Sequence, residues 1–244
     1  MTEELFRDDA GLLHCEATIT AVSERGIELD RTVFYPQGGG QAGDTGALRL
    51  LGQPALAELV ITDTRKGAGA GQILHVYPGE TSMRAWRPGE RVAAQVDAAR
   101  REAHRRFHTA THLLCALVPH PVDGCSITST YARLDFHMTE PLDKDTLNAG
   151  LARLVAAATR VGQRWISDAE LDANPGLVRS MSVQPPRGQG RVRLVAIADV
   201  DLQPCGGTHV ANTADIGAIV VTKIEKKSAK TRRVVLGFAQ AAAG

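Results

Sequence analysis

Short stretches of alternating apolar and polar residues dominate the first part of the chain, with Gly and Pro between them. A period of two predicts β-strands. The predicted strands are 16–22, 26–30, 56–61, 73–76 and 91–96. Because many short strands at close spacing are typical of a small barrel or sandwich, residues 1–97 are predicted to form a small N-terminal β-barrel-like domain.

The pattern changes at Asp97, a residue type that commonly begins a helix. The residues from Asp97 to Leu117 favour a helix, and Pro119 ends it. Later segments predict a strand at 127–138, a helix at 143–161 capped by Asp143, a strand at 191–198, and a hairpin at 216–226 and 231–238. Residues 98–244 are therefore predicted to form an α+β domain with an antiparallel sheet and helices.

Composition and charge narrow the function classes only a little. The formal net charge is +1, so overall charge does not predict a nucleic-acid partner. No apolar run approaches the roughly 18 residues that span a bilayer, and the acidic opening segment lacks the apolar part of a signal peptide. The four cysteines show no regular spacing, which favours reduced thiols and a cytoplasmic protein. The oligomeric state is left open.

Two motifs carry the candidate chemistry. His108 and His112 lie four residues apart in the predicted helix, so both side chains leave the same face. Cys205 and His209 show the same spacing around a Gly-Gly pair that lets the backbone turn back on itself. One sulfur and three imidazoles suit Zn²⁺. The alternative is a chance pair of helical histidines, with a buried free cysteine and an exposed histidine in the second motif.

The remaining positions of these motifs restrict the kind of metal site. Zinc metalloproteases of the His-Glu type place Glu directly after the first histidine, where this chain has Thr109. His104 lies on the same helix face and is predicted to stay outside the ligand set. Four protein ligands are typical of structural zinc, whereas catalytic zinc keeps an open position, so the sequence leaves both roles open.

A glycine-rich loop occupies residues 34–46 and contains Gly38, Gly39, Gly40 and Gln41. It matches neither the phosphate-binding loop of nucleotide hydrolases nor a dinucleotide fingerprint. Its backbone N–H groups could meet a phosphate or a carboxylate, and an ordinary turn is the equal alternative.

Four segments together resemble a known family: FYPQGGGQAGDTG, RRFHTATHLL, YARLDF and CGGTHV, in that order. They are similar to the editing module of alanyl-tRNA synthetase and its free-standing AlaX relatives. The resemblance implies an N-terminal β-barrel followed by an editing domain, and a zinc-dependent enzyme that acts in trans. The implied reaction is deacylation of mischarged tRNA(Ala), chiefly Ser-tRNA(Ala), with Gly-tRNA(Ala) as a second candidate. The implied zinc ligands are His108, His112, Cys205 and His209.

The resemblance also raises the question of substrate selection. Serine is larger than alanine, so a pocket that admits serine and rejects alanine must reward the serine hydroxyl with a hydrogen bond. The candidate hydroxyls are Thr109, Thr111, Ser126, Thr128, Ser129 and Thr130. No general base is assigned. Gln203 and Pro204 stand before the CGGTH motif where synthetases commonly have Glu-Leu, which we interpret as the free-standing branch.

Local basic clusters are the predicted contacts to tRNA phosphates. They are Arg100, Arg101, Arg105, Arg106, Lys223, Lys226, Lys227, Lys230, Arg232 and Arg233. A solvated surface face is the plainer interpretation of the same residues. Two other functions remain alternatives to the deacylase: a non-catalytic tRNA-binding module with a structural zinc, and a metallohydrolase of small esters.

Overall fold

The computed structural model describes residues 1–53, 58–79, 86–178 and 190–239. Part of the predicted strand at 56–61 therefore lies outside the described residues. The chain forms two compact units. The first contains residues 1–38 and 42–102, and the second contains residues 39–41 and 103–244. The boundary predicted at residue 97 precedes a helix, whereas the units divide within that helix, after Glu102.

The described residues of the first unit form nine strands. They are β1 (Glu3–Glu4), β2 (His14–Ser23), β3 (Gly26–Leu29), β4 (Arg31–Thr32), β5 (Gly46–Leu50), β6 (Leu59–Ile61), β7 (Asp63–Lys66), β8 (Ile73–Val76) and β9 (Arg91–Val96). Seven of them form one antiparallel sheet in the order β6-β5-β9-β2-β3-β8-β7, and β1 pairs with β4 in parallel. Only Thr62 separates the two edge strands in sequence, yet no ladder joins them within the described residues, so a closed barrel is not confirmed.

The alternation that predicts these strands also builds the core of the first unit. In β9, Val92, Ala94 and Val96 point inward and are at most 2% exposed, while Arg91 and Gln95 face solvent. Each large apolar side chain removed from water in this way contributes roughly 1.5–3 kcal/mol. Trp86 joins the same apolar cluster.

One histidine is fully buried in the first unit. The Nδ1 atom of His75 lies 3.0 Å from the carbonyl oxygen of Ile27, and its Nε2 atom lies 2.8 Å from the Thr32 hydroxyl. The Phe34 N–H donates to that hydroxyl oxygen at 3.0 Å, so the hydroxyl is free to donate its own proton to Nε2. Both ring nitrogens are thus satisfied in the neutral form.

The second unit has helices and two further sheets. Its elements are α1 (Ala98–Leu117, from residue 103 onward), β10 (Val122–Ile127), β11 (Ala132–His137), α2 (Lys144–Ala156), β12 (Val161–Ser167), α3 (Asp168–Asp172), β13 (Arg191–Ile197), β14 (Asp201–Pro204), β15 (Ile219–Ser228) and β16 (Thr231–Phe238). The sheets are antiparallel, in the orders β10-β11-β16-β15 and β12-β13-β14. The α+β class with antiparallel sheets and helices is confirmed.

Two predicted elements are five residues shorter at one end than expected, while the hairpin strand predicted at 216–226 is observed at Ile219–Ser228. The strand predicted at 127–138 is a turn followed by β11. Two hydrogen bonds close the turn: the Tyr131 N–H donates to the Thr128 hydroxyl at 3.1 Å, and the Thr128 N–H donates to the Tyr131 carbonyl. The helix predicted at 143–161 ends at Ala156, and two residues later Ala158 takes a positive φ of 50°. The Asp143 cap is confirmed, since its carboxylate accepts from the Thr146 N–H at 2.7 Å.

The apolar face of α1 supplies the core of the second unit. Phe107, Ala110 and Leu114 follow the i, i+3, i+7 spacing of one helix face and are fully buried. They belong to one apolar cluster with Leu134 of β11 and Leu236 of β16. His108 and His112 lie on a different face of the same helix. Among the described residues, no helix is both long and apolar enough to cross a membrane.

Candidate metal centre

The two predicted metal-ligand motifs meet in the second unit. His108 and His112 extend from α1, and Cys205 and His209 lie in the loop that follows β14. One donor atom from each of these four residues lies within 4.8 Å of all the others. The three histidines are buried and Cys205 is partly buried. Such a cluster can hold a metal ion.

The distances inside the cluster fit a tetrahedral site. The Cys205 Sγ atom lies 3.3 Å from the Nε2 atom of His108 and 3.2 Å from that of His209. For zinc bound at about 2.3 Å from sulfur and about 2.0–2.1 Å from nitrogen, tetrahedral geometry separates these atoms by roughly 3.5 Å. The donor set and the spacing therefore both suit Zn²⁺.

Gln41 orients the first histidine. Its Oε1 atom lies 2.8 Å from the Nδ1 atom of His108, and an amide oxygen can only accept, so Nδ1 carries the proton and the Nε2 lone pair faces Cys205. The same oxygen accepts the Thr208 N–H at 3.1 Å, and the Gln41 amide nitrogen donates to the Thr208 hydroxyl at 3.0 Å. Gln41 is fully buried. One side chain thus holds both the helix ligand and the cysteine loop.

The other two histidines have outer partners of the same kind. The Nδ1 atom of His112 lies 2.7 Å from the Asp201 carboxylate, to which Gln203 also donates at 2.8 Å. The Nδ1 atom of His209 lies 3.1 Å from the Thr109 hydroxyl. That hydroxyl donates to the carbonyl of residue 105 and therefore accepts from the imidazole. Partners of this kind fix the tautomer of a metal-binding histidine and raise its basicity.

The charges in the cluster favour the metal-binding form at Cys205 and His209, whereas His112 must lose a proton to bind a metal. Burial raises the pKa of the Cys205 thiol, but His108 and His209 more than reverse this and hold that pKa well below its ordinary value. Burial also lowers the pKa of His209 well below the ordinary range. Burial lowers the pKa of His112, yet the hydrogen bonds to Asp201 and Cys205 outweigh it and raise the value to about 9. Zinc coordinates a thiolate and neutral imidazoles, so binding of the ion would release a proton from His112.

The Cys205–His209 motif and the glycine-rich loop each contain a glycine that close contacts require. A Cβ atom on Gly207 would lie 2.0 Å from the His108 Cε1 atom, and one on Gly40 would lie 2.8 Å from the Cys125 Sγ atom. Gly40 also has a positive φ of 84°, and its carbonyl accepts the Ile127 N–H at 2.8 Å. Residues 39–41 are therefore built into the second unit, against its metal cluster.

Sequence reasoning missed several residues that support the site, among them Asp201, Gln203 and Cys125. Asp201 and Gln203 precede the CGGTH motif and lie on β14. Their spacing to Cys205 indicates a role at the site only once this strand is known. Cys125 lies beside Gly40, and burial raises the pKa of its thiol to about 12, so it is a neutral thiol.

Several predicted selectivity hydroxyls already have structural partners. Thr109 holds His209, Thr111 donates to the His108 carbonyl at 2.7 Å, and Thr128 closes the turn after β10. Ser126 pairs with Arg133 across β10 and β11, on the face opposite to Cys125. Ser129 and Thr130 lie in the turn itself.

One predicted phosphate contact needs correction. Arg101 is fully buried and forms an ion pair with the Asp44 carboxylate, with a distance of 3.1 Å from its Nε atom. It also donates to the carbonyls of Ala10 and Val33. Its guanidinium therefore holds the first unit together and is not accessible to a phosphate. A sequence pattern cannot reveal this, because the carboxylate is 57 residues away.

The neighbouring arginines of α1 are engaged as well. Arg100 donates to the Gly43 carbonyl at 3.1 Å, and Arg105 donates to the His209 carbonyl at 3.0 Å. Arg106 donates to the carbonyl of residue 216 at 2.7 Å and lies 4.0 Å from the centroid of the Phe238 ring. These contacts give the three side chains structural roles, which reduces their value as tRNA contacts.

The closing hairpin keeps exposed cations. Arg233 forms a two-pronged pair with Asp135 at 2.6 and 2.8 Å, and Arg232 is nearly buried against the Ser228 carbonyl. The exposed lysines of β15 and its turn are Lys223, Lys226, Lys227 and Lys230, of which Lys223 pairs with Glu225 at 2.8 Å.

The chain is similar to known proteins over nearly its whole length. Alanyl-tRNA editing protein AlaX-M of Methanosarcina barkeri is 32% identical over 243 residues, which cover 96% of this chain and 98% of that protein. AlaX-M of Methanosarcina mazei is 31% identical over 255 aligned residues, covering 100% of this chain and 99% of that protein.

Longer proteins and family descriptions match as well. The alanine–tRNA ligase of Metallosphaera sedula is 34% identical over 234 residues, which are 92% of this chain but only 25% of the ligase. Residues 192–235 match the threonyl and alanyl tRNA synthetase second additional domain, and residues 10–100 match the class II (A) tRNA synthetases.

Proposed function

Because this chain belongs to the AlaX-M family of alanyl-tRNA editing proteins, we propose that it is an aminoacyl-tRNA deacylase that acts on mischarged tRNA(Ala). The observation that carries the proposal is the buried cluster of His108, His112, Cys205 and His209, in which the three imidazoles direct Nε2 inward. A site prepared in this way for a cation suits hydrolysis of an ester.

In the proposed enzyme the four residues hold Zn²⁺. Bound zinc supplies Lewis-acid chemistry, which polarises an ester carbonyl and stabilises the charge that develops on it. The protein residues position that chemistry, since Gln41, Asp201 and Thr109 hold the three rings. No general base is assigned to any residue.

The proposed substrate is chiefly Ser-tRNA(Ala), with Gly-tRNA(Ala) as a further candidate. A site that hydrogen-bonds the serine hydroxyl leaves polar groups unpaired when alanine binds, and such sites discriminate by roughly 10⁴-fold or more. Ser129 remains a candidate hydroxyl for this contact, because the hydroxyls of Thr109, Thr111, Thr128 and Thr130 already have intramolecular partners.

The hairpin lysines are the proposed contacts to tRNA phosphates. Lys226, Lys227 and Lys230 are exposed near one turn, so their charges lie close together. Counterion release then makes binding weaken with added salt, and each lysine replaced by alanine lowers the magnitude of the salt slope by about 1. A salt response that is flat in the parent protein contradicts this assignment.

A deacylation assay tests the function directly. Seryl-, glycyl- and alanyl-tRNA(Ala) are incubated with the protein, and loss of the ester is followed over time. We expect the seryl ester to be cleaved and the alanyl ester to persist, with His108→Ala inactive although folded. The matched control is His137→Ala, an exposed histidine of β11.

The same assay separates the alternatives when tRNA binding and the cleavage of small esters are measured beside it. Tight tRNA binding without turnover means a binding module with a structural zinc. Cleavage of small esters but of no aminoacyl-tRNA means a metallohydrolase of another class. Either outcome refutes the proposed deacylase.

A further inference from the structure

The sheet β12-β13-β14 carries a row of side chains that ends at the metal centre. Trp165 of β12 pairs with Arg193 of β13, and the N–H of Cys205 donates to the Arg193 carbonyl at 3.1 Å, one position beyond the Leu194–Pro204 pair. Paired residues of antiparallel strands project from the same face. Neighbouring strands lie about 4.7–4.9 Å apart, so the Trp165 backbone is roughly 10 Å from that of Cys205.

The middle residue of this row is a structural support. Arg193 is buried, and its guanidinium donates to the Gly207 carbonyl at 2.8 Å, the Cys205 carbonyl at 3.2 Å and the Gln163 side chain at 2.6 Å. It therefore fixes the cysteine loop against the sheet. Trp165 lies on the same face of the sheet, one strand further from the cysteine loop than Arg193.

Trp165 is paired with an exposed cation. The Arg191 guanidinium carbon lies 4.5 Å from the centroid of the Trp165 ring, and the register places Arg191 opposite Ser167, on the same face as Trp165. Arg191 is exposed and Trp165 is partly exposed. An aromatic ring with an arginine over one face is typical of sites for single-stranded nucleic acid, because a base can stack on the ring and the cation can meet a phosphate.

We propose that Trp165 and Arg191 form the binding site for the terminal adenosine of the tRNA. The adenine stacks on Trp165, and Arg191 contacts the phosphate of the same nucleotide. The ester to be cleaved is on the ribose of that nucleotide, so a base site two strands from Cys205 places the ester towards the metal centre. This inference rests on the proposed deacylase function and names the residues that hold its substrate.

Tryptophan fluorescence tests the site without any catalysis. The chain has two tryptophans, and Trp86 is only 4% exposed in the core of the first unit. We expect adenosine monophosphate to quench the parent protein saturably and to leave Trp165→Phe fluorescence unchanged. Arg191→Met should weaken nucleotide binding, while Tyr131→Ala, which removes a different exposed aromatic side chain, should not.

Kinetics test the role in the reaction. Stacking of a base on an aromatic ring corresponds to a factor of about 5–150 in binding, so Trp165→Ala should raise KM for seryl-tRNA by that factor and change kcat little. Trp165→Phe should recover most of the loss, because the smaller ring still stacks. Circular dichroism confirms that each variant is folded.

Two results overturn the proposal: no saturable quenching by the nucleotide, or an unchanged KM in folded Trp165→Ala. Failure of the proposed deacylase itself has a different signature. In that case no aminoacyl-tRNA is cleaved, and nucleotide quenching still decides whether Trp165 and Arg191 bind adenosine.

Discussion

The buried imidazole of His75 makes the stability of the first unit depend on pH. His75 is fully buried, with Nδ1 donating to the Ile27 carbonyl and Nε2 accepting from the Thr32 hydroxyl. Burial lowers its pKa from 6.5 to about 4, against the smaller opposite effect of the Ile27 hydrogen bond. Protonation at Nε2 would turn an acceptor into a donor facing a hydroxyl whose proton already points at it.

The size of the effect follows from the pKa difference. The unfolded chain binds the proton near pH 6.5 and the folded unit near pH 4, a gap of about 2.5 units at roughly 1.36 kcal/mol each. The neutral form therefore contributes about 3 kcal/mol above pH 6.5. This contribution is lost as the pH falls from 6.5 to 4, because the unfolded state takes up the proton first.

Urea denaturation measures this loss. Unfolding is followed between pH 7.5 and pH 4.5 by the fluorescence of Trp86, which is buried in the first unit, in a Trp165→Phe background. Carboxylates also titrate in this range, so the quantity of interest is the difference between the parent and His75→Gln. We expect the variant to be less stable at pH 7.5 but to lose about 2.5 kcal/mol less on acidification to pH 4.5, where most of the 6.5-to-4 window has been crossed.

The exposed His14 gives the matched control, since His14→Gln should keep the pH dependence of the parent. If His75→Gln and the parent lose the same free energy of unfolding between pH 6.5 and pH 4.5, the reasoning about His75 is wrong.

Three further substitutions test the supports of each unit. Gln41→Ala should lower zinc affinity by about 10- to 100-fold, because His108 loses the acceptor for its Nδ1 proton. Competition with a chelator measures the affinity, and Gln37→Ala in the same loop should change it little. Gly207→Ala should destabilise the second unit by about 1–3 kcal/mol in thermal unfolding, since its Cβ atom has no room; an unchanged melting temperature would contradict that contact. Arg101→Met should cost about 3–5 kcal/mol by leaving the Asp44 carboxylate buried without its cation, and adding Asp44→Asn should recover part of the loss.

Local chemistry explains what the sequence predicted well. Asp97 accepts from the N–H of residue 100 at 3.0 Å, so the predicted cap is present and α1 begins at the next residue. The four-residue spacing of His108 and His112 requires only a helix to bring both onto one face. For such features a short stretch of sequence contains both the cause and the consequence.

Long-range partners explain what could not be predicted. Gln41 lies 67 residues before His108, and nothing in the spacing of the glycine-rich loop points to an imidazole. The loop residues 39–41 therefore lie against the cluster, a position that the phosphate-binding hypothesis did not foresee. Arg101 shows the converse, since a basic residue within a basic run is expected at the surface until its carboxylate partner is known.

The position of residues 39–41 has a consequence for how this protein can be divided. The second unit is discontinuous in the chain, because it needs three residues that are encoded before the helix where the rest of it begins. A fragment that starts at residue 98 would lack Gln41, and its His108 ring would be free to rotate or to change tautomer. Any gene fusion that transfers this editing module to another protein must therefore carry the glycine-rich loop with it.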